Sequence, residues 1–231
     1  MGIKLKPNEF LIEELKRDGY LKSPRLVEAF LKIDRKDFVP RELWDEAYGN
    51  YPLPIGEGQT ISQPLTVAFM LELLDPRPGE KVLDVGSGSG WTTALLAHAV
   101  APRGKILAIE RIMELCRLGE ANVSKYNFVK KGIVQFFCGN AVAGLEKEAP
   151  FDKVLSGASA ESIPKAWKKE LKVGGRIVAP IGQSIVVLDK IRELEFSAEG
   201  GPAVRLSSPS KSSGWKEKEY FGFSFVPLIR E

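Results

Sequence analysis

The stretch Lys81-Val-Leu-Asp-Val-Gly-Ser-Gly-Ser-Gly-Trp-Thr-Thr-Ala-Leu-Leu-Ala97 decides the fold of this chain. Its first five residues form a short apolar run with one acid, which is typical of a strand buried in a parallel sheet. Glycines then alternate at Gly86, Gly88 and Gly90, and an Ala- and Leu-rich helical pattern begins at Trp91. A glycine turn between a strand and a helix N-terminus brings backbone N–H groups close to a ligand. We therefore expect a ligand site here, the alternative being a glycine turn without a ligand.

The spacing of these glycines separates two classes of nucleotide site. A dinucleotide fingerprint needs Gly-x-Gly-x-x-Gly, and Trp91 stands where its last glycine would fall. The observed Gly-x-Gly-x-Gly, with Asp84 two residues before it, resembles the cofactor loop of S-adenosylmethionine-dependent methyltransferases more than an NAD loop. The next predicted strand, Gly104–Glu110, ends in a carboxylate 20 residues after Gly90. This is about the position of a ribose-binding acid.

Length and composition bound the class of protein. The chain has 231 residues, of which 44% are hydrophobic and 27% charged, as in an ordinary soluble domain. Because the net charge is only +3 and the basic residues are scattered, we expect no nucleic-acid partner. We see no apolar leader and no stretch of membrane-spanning length, so we expect a cytoplasmic monomer without a membrane partner. Cys116 and Cys138 are expected to be reduced core thiols.

Residues 1–58 are predicted to form an N-terminal helical cap and the start of a loop. Pro7–Gly19 has an amphipathic helical pattern, and Ser23-Pro24 is typical of the N-cap and first position of a second helix. Tyr51–Pro64 is rich in proline and glycine, which indicates an ordered irregular loop. Its hydroxyl residues Thr60 and Ser62 precede the next helix, where they could meet an anion or simply cap that helix.

Residues 59–190 are predicted to form an α/β domain, because strand and helix patterns alternate there. Such βα units predict a doubly wound parallel sheet with helices on both faces. Ligands of these sheets bind beyond the C-terminal ends of the strands. The candidates at such ends are Asp84, Glu110, Asn140 and the 156–160 loop.

Residues 191–231 are predicted to form a C-terminal extension. A polar, turn-rich segment covers residues 197–218, and the alternation of Phe221, Phe223 and Phe225 predicts a final strand over Glu219–Ile229. No helix separates this strand from the one predicted at Ser184–Asp189. We therefore expect the two to pair antiparallel at the sheet edge.

The residue types present favour methyl transfer. One histidine, no Gly-x-Ser-x-Gly elbow and no phosphate loop argue against serine hydrolysis and phosphoryl transfer, and one histidine with two separated cysteines does not favour a metal site. A carboxylate substrate, with an ordinary pKa near 4, is already a nucleophile at pH 7. A methyltransferase acting on it needs alignment and a dry pocket, not a general base.

Motifs along nearly the whole chain resemble those of the protein-L-isoaspartate O-methyltransferase family. The loop Pro54-Ile-Gly-Glu-Gly-Gln-Thr-Ile-Ser-Gln-Pro64 is the most specific of them. The others, in family order, are Asp84–Gly90, Ile109–Arg111, Ala149–Asp152, Val173–Gly175, Val178–Gly182 and Phe225–Leu228. The resemblance implies a Rossmann-like methyltransferase fold and a repair enzyme. Such an enzyme methylates the free α-carboxylate of L-isoaspartyl residues in damaged proteins and peptides, with S-adenosylmethionine as donor and S-adenosylhomocysteine as product.

The resemblance also implies roles for individual residues. Ser62 would be the active-site hydroxyl, with Thr60 beside it. The cofactor would be held by Asp84, Gly86, Ser87, Gly88, Gly90, Glu110, Arg111, Asn140 and Ala141, with Glu110 on the ribose and Asn140 and Ala141 beside the adenine. The substrate would contact Ile55, Gln59, Ile61, Val226 and Leu228.

Three departures from the family pattern keep alternatives open. This chain has Gly139-Asn-Ala141 where the family usually has Gly-Asp-Gly. It has Ala158-Ser-Ala-Glu161 where the family usually has Ala-Ala-Ala-Pro. The Ser207–Gly214 excursion is longer than is usual in the family. Glu161 would repel an anionic substrate if it pointed inward. The alternatives are a divergent methyltransferase acting on another carboxylate or a small molecule, a binding module without catalysis, and an NAD oxidoreductase.

Overall fold

Six helices and nine strands make up the described part of the chain. The structure is a computed structural model and describes residues 6–192 and 214–228. The elements in chain order are α1 Pro7–Arg17, α2 Pro24–Lys32, β1 Leu53–Gly56, β2 Gln59–Ile61, α3 Pro64–Leu74, β3 Lys81–Val85, α4 Trp91–Val100, β4 Lys105–Glu110, α5 Met113–Ser124, β5 Val134–Cys138, β6 Phe151–Ser156, α6 Lys165–Glu170, β7 Leu171–Ile181, β8 Ser184–Lys190 and β9 Trp215–Phe221. Short 3-10 helices lie at Arg35–Phe38, Arg41–Glu46, Ala141–Ala143 and Glu146–Glu148.

The main sheet has seven strands in the order β5-β4-β3-β6-β7-β8-β9. The first five of these are parallel, and β8 and β9 pair antiparallel with their neighbours. This confirms the predicted doubly wound fold with antiparallel edge strands. β3 pairs with β4 on one side and β6 on the other, so the strand order reverses beside it. A switch point leaves a crevice above the strand ends.

Helix α4 follows β3 and is buried on nearly all sides. Trp91, Ala94, Leu95 and Leu96 are at most 2% exposed. A helix that is apolar all round must be covered by other elements. The cover comes from the N-terminal helices, because Leu11, Leu26 and Phe30 belong to the same apolar cluster, which also contains Ile61 and Leu71. The helical cap thus shares its core with the glycine-loop helix.

Three local details differ from the sequence predictions: a helix cap, a loop and the start of a strand. Helix α2 begins at Pro24 as predicted, but the Ser23 hydroxyl donates to the Glu72 carboxylate at 2.6 Å instead of capping its own helix. The segment predicted as an irregular loop contains a hairpin, in which Leu53 pairs with Ile61 and Pro54 with Thr60. Strand β7 starts directly after α6 at Leu171. It pairs with β6 through a register shift.

The prediction of two reduced thiols was wrong, because Cys116 and Cys138 form a disulfide. Their Cα atoms are 5.9 Å apart although 22 residues separate them in sequence. Helix α5 packs back over β4 and β5, which brings its first turn to the end of β5. Cys138 is exposed and Cys116 is buried.

The predicted final strand was also misplaced. β9 covers Trp215–Phe221, so it begins and ends earlier than predicted. Gly222 has φ +94°, and beyond it Phe223 leaves the sheet and stacks on Phe69 of α3, with ring centroids 5.4 Å apart. The predicted 207–214 excursion lies, apart from Gly214, outside the described residues. No helix in the described ranges combines the length and apolar character needed to cross a membrane.

Candidate active site

A cleft opens above the C-terminal ends of β3, β4, β5 and β6. The β1–β2 hairpin and the C-terminal segment form its other walls. All predicted site residues except Gly90 line it: Ile55, Gln59, Thr60, Ile61, Ser62, Asp84, Gly86, Ser87, Gly88, Glu110, Arg111, Asn140, Ala141, Val226 and Leu228. The structure therefore brings together five sequence segments that lie apart in the chain.

The glycine loop sits between the hairpin and helix α5. A Cβ atom at Gly88 would lie 3.2 Å from Cδ1 of Ile55, so the hairpin approaches the loop closely. Gly90 has φ +89° and flanks α4 as its N-cap. A Cβ there would lie 2.8 Å from the Gly119 carbonyl oxygen of α5. Gly90 thus allows close helix packing and does not line the cleft, unlike the other predicted cofactor residues.

Glu110 ends β4 with its side chain only 8% exposed. Its Oε2 accepts the Gly88 N–H at 2.9 Å, and its Oε1 accepts the Ile112 N–H at 3.0 Å. These bonds fix the carboxylate beside the glycine loop. Each carboxylate oxygen has about two lone-pair sites, so both oxygens retain capacity to accept from a ligand hydroxyl.

Asp84 lies deeper, at the end of β3, and is 1% exposed. Its pKa is raised to about 6, mainly by burial and to a smaller extent by the nearby Glu110 charge. The Thr93 hydroxyl donates to Oδ2 at 2.6 Å and opposes that shift by stabilising the carboxylate. Asp84 and Glu110 thus form a pair of buried acids at neighbouring strand ends.

Ser62 and Thr60 are brought to the cleft by strand β2 and the turn after it. Gln63 is the N-cap of α3, and its own side chain does not cap that helix. No hydrogen bond within the described ranges uses the hydroxyl of Ser62 or Thr60, whereas the Ser62 carbonyl accepts from Arg35 at 3.2 Å. No contact in the described residues therefore supports the interpretation that these two hydroxyls only cap α3.

Asn140 and Ala141 follow β5 and are held by side chains and backbone around them. The Asn140 Oδ1 accepts the Val142 N–H at 2.9 Å and caps a short 3-10 helix. Trp167 Nε1 donates to the Ala141 carbonyl at 2.7 Å. The Asn140 amide oxygen is thereby oriented by its own backbone.

The C-terminal segment reaches the cleft by pairing with the loop after β6. Ser159 N–H donates to the Val226 carbonyl at 2.8 Å, and Leu228 N–H donates to the Ser159 carbonyl at 2.6 Å. Val226 and Leu228 thereby become a wall of the cleft. Glu161, two residues after Ser159, is exposed and does not line the cleft. The inward orientation of this carboxylate is therefore not the one found in the structure.

Sequence reasoning did not assign several residues that line the cleft. They are Ser89, Trp91, Thr92, Ile109, Ile112, Leu115, Gly139 and Pro227. Gly157 and Ala158 also line it and belong to the 156–160 loop, which the sequence did indicate. Most flank strand ends that were already identified, so neighbourhood in sequence could have found them. Ser87 Oγ, Ser89 Oγ and Trp91 Nε1 are buried without a partner among the described residues. Buried polar atoms are normally hydrogen-bonded, so this loop fits a ligand that carries polar groups.

Comparison with known proteins places these features in a family. The sequence matches the family model described as protein-L-isoaspartate(D-aspartate) O-methyltransferase over residues 6–205. The protein-L-isoaspartate O-methyltransferase of Methanopyrus kandleri is 40% identical over 227 residues, covering 96% of this chain and 91% of that protein. The Aeropyrum pernix protein of the same name is 44% identical over 184 residues, covering 78% of this chain and 70% of the relative.

A solved structure shows the same fold. It is a crystal structure described as a protein-L-isoaspartate O-methyltransferase from Plasmodium falciparum in complex with S-adenosyl-L-homocysteine. It is 23% identical, the match covers 99% of this chain and 100% of that one, and the TM-score is 0.78. Membership of a family follows from the match to its model over residues 6–205 and from 40% identity over 91% of the Methanopyrus kandleri protein. The chain belongs to the protein-L-isoaspartate(D-aspartate) O-methyltransferase family.

Proposed function

We propose that this protein transfers a methyl group from S-adenosylmethionine to the free α-carboxylate of L-isoaspartyl residues in damaged proteins and peptides. One observation carries the proposal: the hydroxyls of Ser62 and Thr60 border the same cleft as Glu110 and the glycine loop. A donor bound at the strand ends and a carboxylate held by the hydroxyls would then meet inside one cavity.

The residues present fit the donor. Glu110 offers two oriented oxygens to ribose hydroxyls, and the buried, unpartnered hydroxyls of Ser87 and Ser89 suit a polar ligand at the glycine loop. Asn140 and Ala141 would flank the adenine. When bound, the donor supplies a methyl group activated by a positively charged sulfur.

The acceptor needs orientation more than activation. A carboxylate is ionised at pH 7, so no residue has to remove a proton from it. The Ser62 and Thr60 hydroxyls can donate to its oxygens and aim one of them at the methyl group. The side chains of Ile55, Ile61 and Leu228 would exclude water, which favours a reaction in which opposite charges disperse.

Discrimination between isoaspartate and aspartate must come from backbone register. The two residues have the same atoms and the same charge, so only the position of the carboxylate relative to the main chain differs. The 226–228 segment, held by two hydrogen bonds to Ser159, and the β1–β2 hairpin would hold the flanking peptide in one register. An oxygen misplaced on the order of 1 Å loses about a hundredfold in rate.

A paired peptide assay tests the function. Two peptides of identical sequence, one with L-isoaspartate and one with aspartate, are incubated with a labelled methyl donor, and the methyl ester is released by base. We expect labelling of the isoaspartyl peptide alone. Equal labelling of both would refute the repair function. No labelling of either, with S-adenosylhomocysteine still bound, would favour the divergent methyltransferase.

A cytoplasmic location and a monomeric state are also part of the proposal. The Cys116–Cys138 disulfide bears on the location, because disulfides are rare in the cytosol of most organisms but occur inside hyperthermophiles. Cell fractionation and sedimentation equilibrium test the two statements separately.

A further inference from the structure

Arg35 is a buried cation that the reaction described above does not use. It starts the 3-10 helix Arg35–Phe38 in the N-terminal cap and is 0% exposed. Burial lowers its pKa to about 10, so it remains charged at pH 7. None of the ion pairs found in the described ranges involves it. A buried charge is costly unless hydrogen bonds compensate it.

The compensation comes from carbonyl oxygens of the active-site segment. Nη1 donates to the Ala47 carbonyl at 2.8 Å and to the Gly49 carbonyl at 3.1 Å. Nη2 donates to the Tyr51 carbonyl at 3.0 Å and to the Ser62 carbonyl at 3.2 Å. One guanidinium therefore joins the residues that enter the β1–β2 hairpin to the residue that leaves it.

The same guanidinium also contacts the glycine-loop side of the cleft. Its central carbon lies 5.3 Å from the ring centroid of Trp91, within the range of a cation–π contact. Trp91 lines the cleft and is packed edge-on against Phe30, with ring centroids 5.5 Å apart. The contact with Trp91 therefore fixes the position of Arg35 relative to the start of α4, in addition to its four bonds to carbonyls.

We propose that Arg35 is a positioning residue of the active site. Because its guanidinium bonds the Ser62 carbonyl and also lies over the Trp91 ring, it sets where the Ser62 hydroxyl stands relative to the cofactor loop. The inference rests on the proposed function only for the role of that hydroxyl. Because the planar fork reaches four carbonyls at once, lysine, with three donors on a single nitrogen, cannot replace it.

A second set of bonds keeps the hairpin ends together without Arg35. Gln63 Nε2 donates to the Asn50 carbonyl at 2.9 Å, and Leu65 N–H donates to Asn50 Oδ1 at 3.0 Å. We therefore expect an Arg35 variant to fold and to keep the β1–β2 hairpin, but in a displaced position. This makes a kinetic test possible.

The test compares Arg35→Lys with Arg25→Lys. Arg25 lies in the same cap, is half-buried and donates to a single carbonyl, that of Pro76, at 2.7 Å, away from the cleft. For Arg35→Lys we expect kcat/KM for the isoaspartyl peptide to fall about ten- to hundredfold, while affinity for S-adenosylhomocysteine changes by less than about threefold. Arg25→Lys should leave kcat and KM unchanged. If kcat and KM per folded molecule of Arg35→Lys equal the wild-type values, Arg35 only stabilises the fold.

Hydrogen exchange separates this inference from the proposed function. Amides of residues 51–62 should exchange faster in Arg35→Lys than in the wild type, while those of β4 remain equally protected. This holds whether or not the wild type methylates the peptide, so a failed assay would overturn the function alone. Equal exchange in the hairpin would overturn the positioning role. If Arg35→Lys does not fold, Arg35→Met, which keeps the apolar stem, is measured in saturating S-adenosylhomocysteine with the same two outcomes.

Discussion

Asp84 and Glu110 end neighbouring strands, yet their carboxylates have different surroundings. Glu110 accepts two backbone N–H groups and remains at the surface of the cleft. Asp84 accepts one hydroxyl in a nearly dry position, and burial raises its pKa. The first carboxylate is arranged to receive a ligand, and the second ties β3 to helix α4 through Thr93.

Glu110→Ala should weaken cofactor binding. Loss of a charged acceptor costs about 1.5–3 kcal/mol, or roughly 10- to 150-fold in affinity. Calorimetry with S-adenosylhomocysteine measures this, with Glu110→Gln as a control that keeps an acceptor for one backbone N–H. Unchanged affinity in the alanine variant would remove Glu110 from the cofactor site.

Ser62→Ala should lower turnover more than it changes S-adenosylhomocysteine affinity, because its hydroxyl is expected to touch the reacting carboxylate. Ser23→Ala is the matched control, since that serine also lies just before a helix that starts with proline, but its hydroxyl bonds Glu72. The control should lower the melting temperature without changing turnover per folded molecule. If Ser62→Ala behaves like Ser23→Ala, its role is structural.

Asp84 should make stability depend on pH. Its folded pKa of about 6 exceeds the value of 3.8 for an ordinary aspartate, so the folded state binds more protons between these values. The free energy of unfolding therefore falls as pH rises from about 4 to about 6, by roughly 3 kcal/mol at most, and is then constant. Asp84→Asn removes this slope.

Urea unfolding at several pH values tests the Asp84 prediction. The stability difference between Asp84→Asn and the wild type should grow from pH 4 to pH 6 and then stay level. Asp18→Asn, at an exposed position, provides the comparison. A difference that is independent of pH would show that Asp84 does not titrate in this range.

At the scale of elements, helix α5 and strand β5 are held together beside the cleft by the Cys116–Cys138 disulfide. Leu115 and Gly139, the neighbours of the two cysteines, both line the cleft. The disulfide thus connects two walls of the expected cofactor site through covalent bonds, in addition to the apolar contacts between α5 and the sheet.

Reduction of this disulfide should destabilise the protein. Opening a loop of 22 residues removes about 3 kcal/mol of stabilisation, which lowers the melting temperature. The Cys116→Ala/Cys138→Ala double variant should have the melting temperature of the reduced wild type. Addition of reductant should not change that temperature. Thiol titration in denaturant should find free thiols only after reduction, and two free thiols before it would disprove the bond.

At the scale of the whole molecule, the N-terminal cap and the α/β sheet share apolar side chains. Leu11 and Phe30 of the cap lie in one cluster with Leu95 of α4 and Ile185 of β8. The predicted division at residues 58 and 190 therefore separates regions that we propose to fold as one compact unit. A shared core couples their stabilities.

Unfolding of the intact chain should therefore be a single cooperative transition. Fluorescence from tryptophans in both regions, Trp44 in the cap and Trp167 in α6, should report the same midpoint when each is measured in a variant lacking the others. Removal of residues 1–39 should leave α4 uncovered and prevent stable folding. Two separate midpoints would indicate independent domains.

The sequence by itself determined the βα alternation and the position of the cleft. Local patterns such as 81–97 specify strand, turn and helix, and parallel strands place Asp84, Glu110 and Asn140 at one sheet edge. Ser62, Thr60 and the C-terminal wall came from the resemblance to a family. Their presence in the same cleft then follows from the tertiary structure.

Only the tertiary structure decided the contacts between distant segments. The Cys116–Cys138 bond, the four carbonyls around Arg35, the bond from Ser23 to Glu72 and the departure of Phe223 from the sheet all join residues with no shared local pattern. Periodicity reports which face of an element is apolar. It does not report which partner that face or a buried polar group meets, because the partner is selected by how the layers pack.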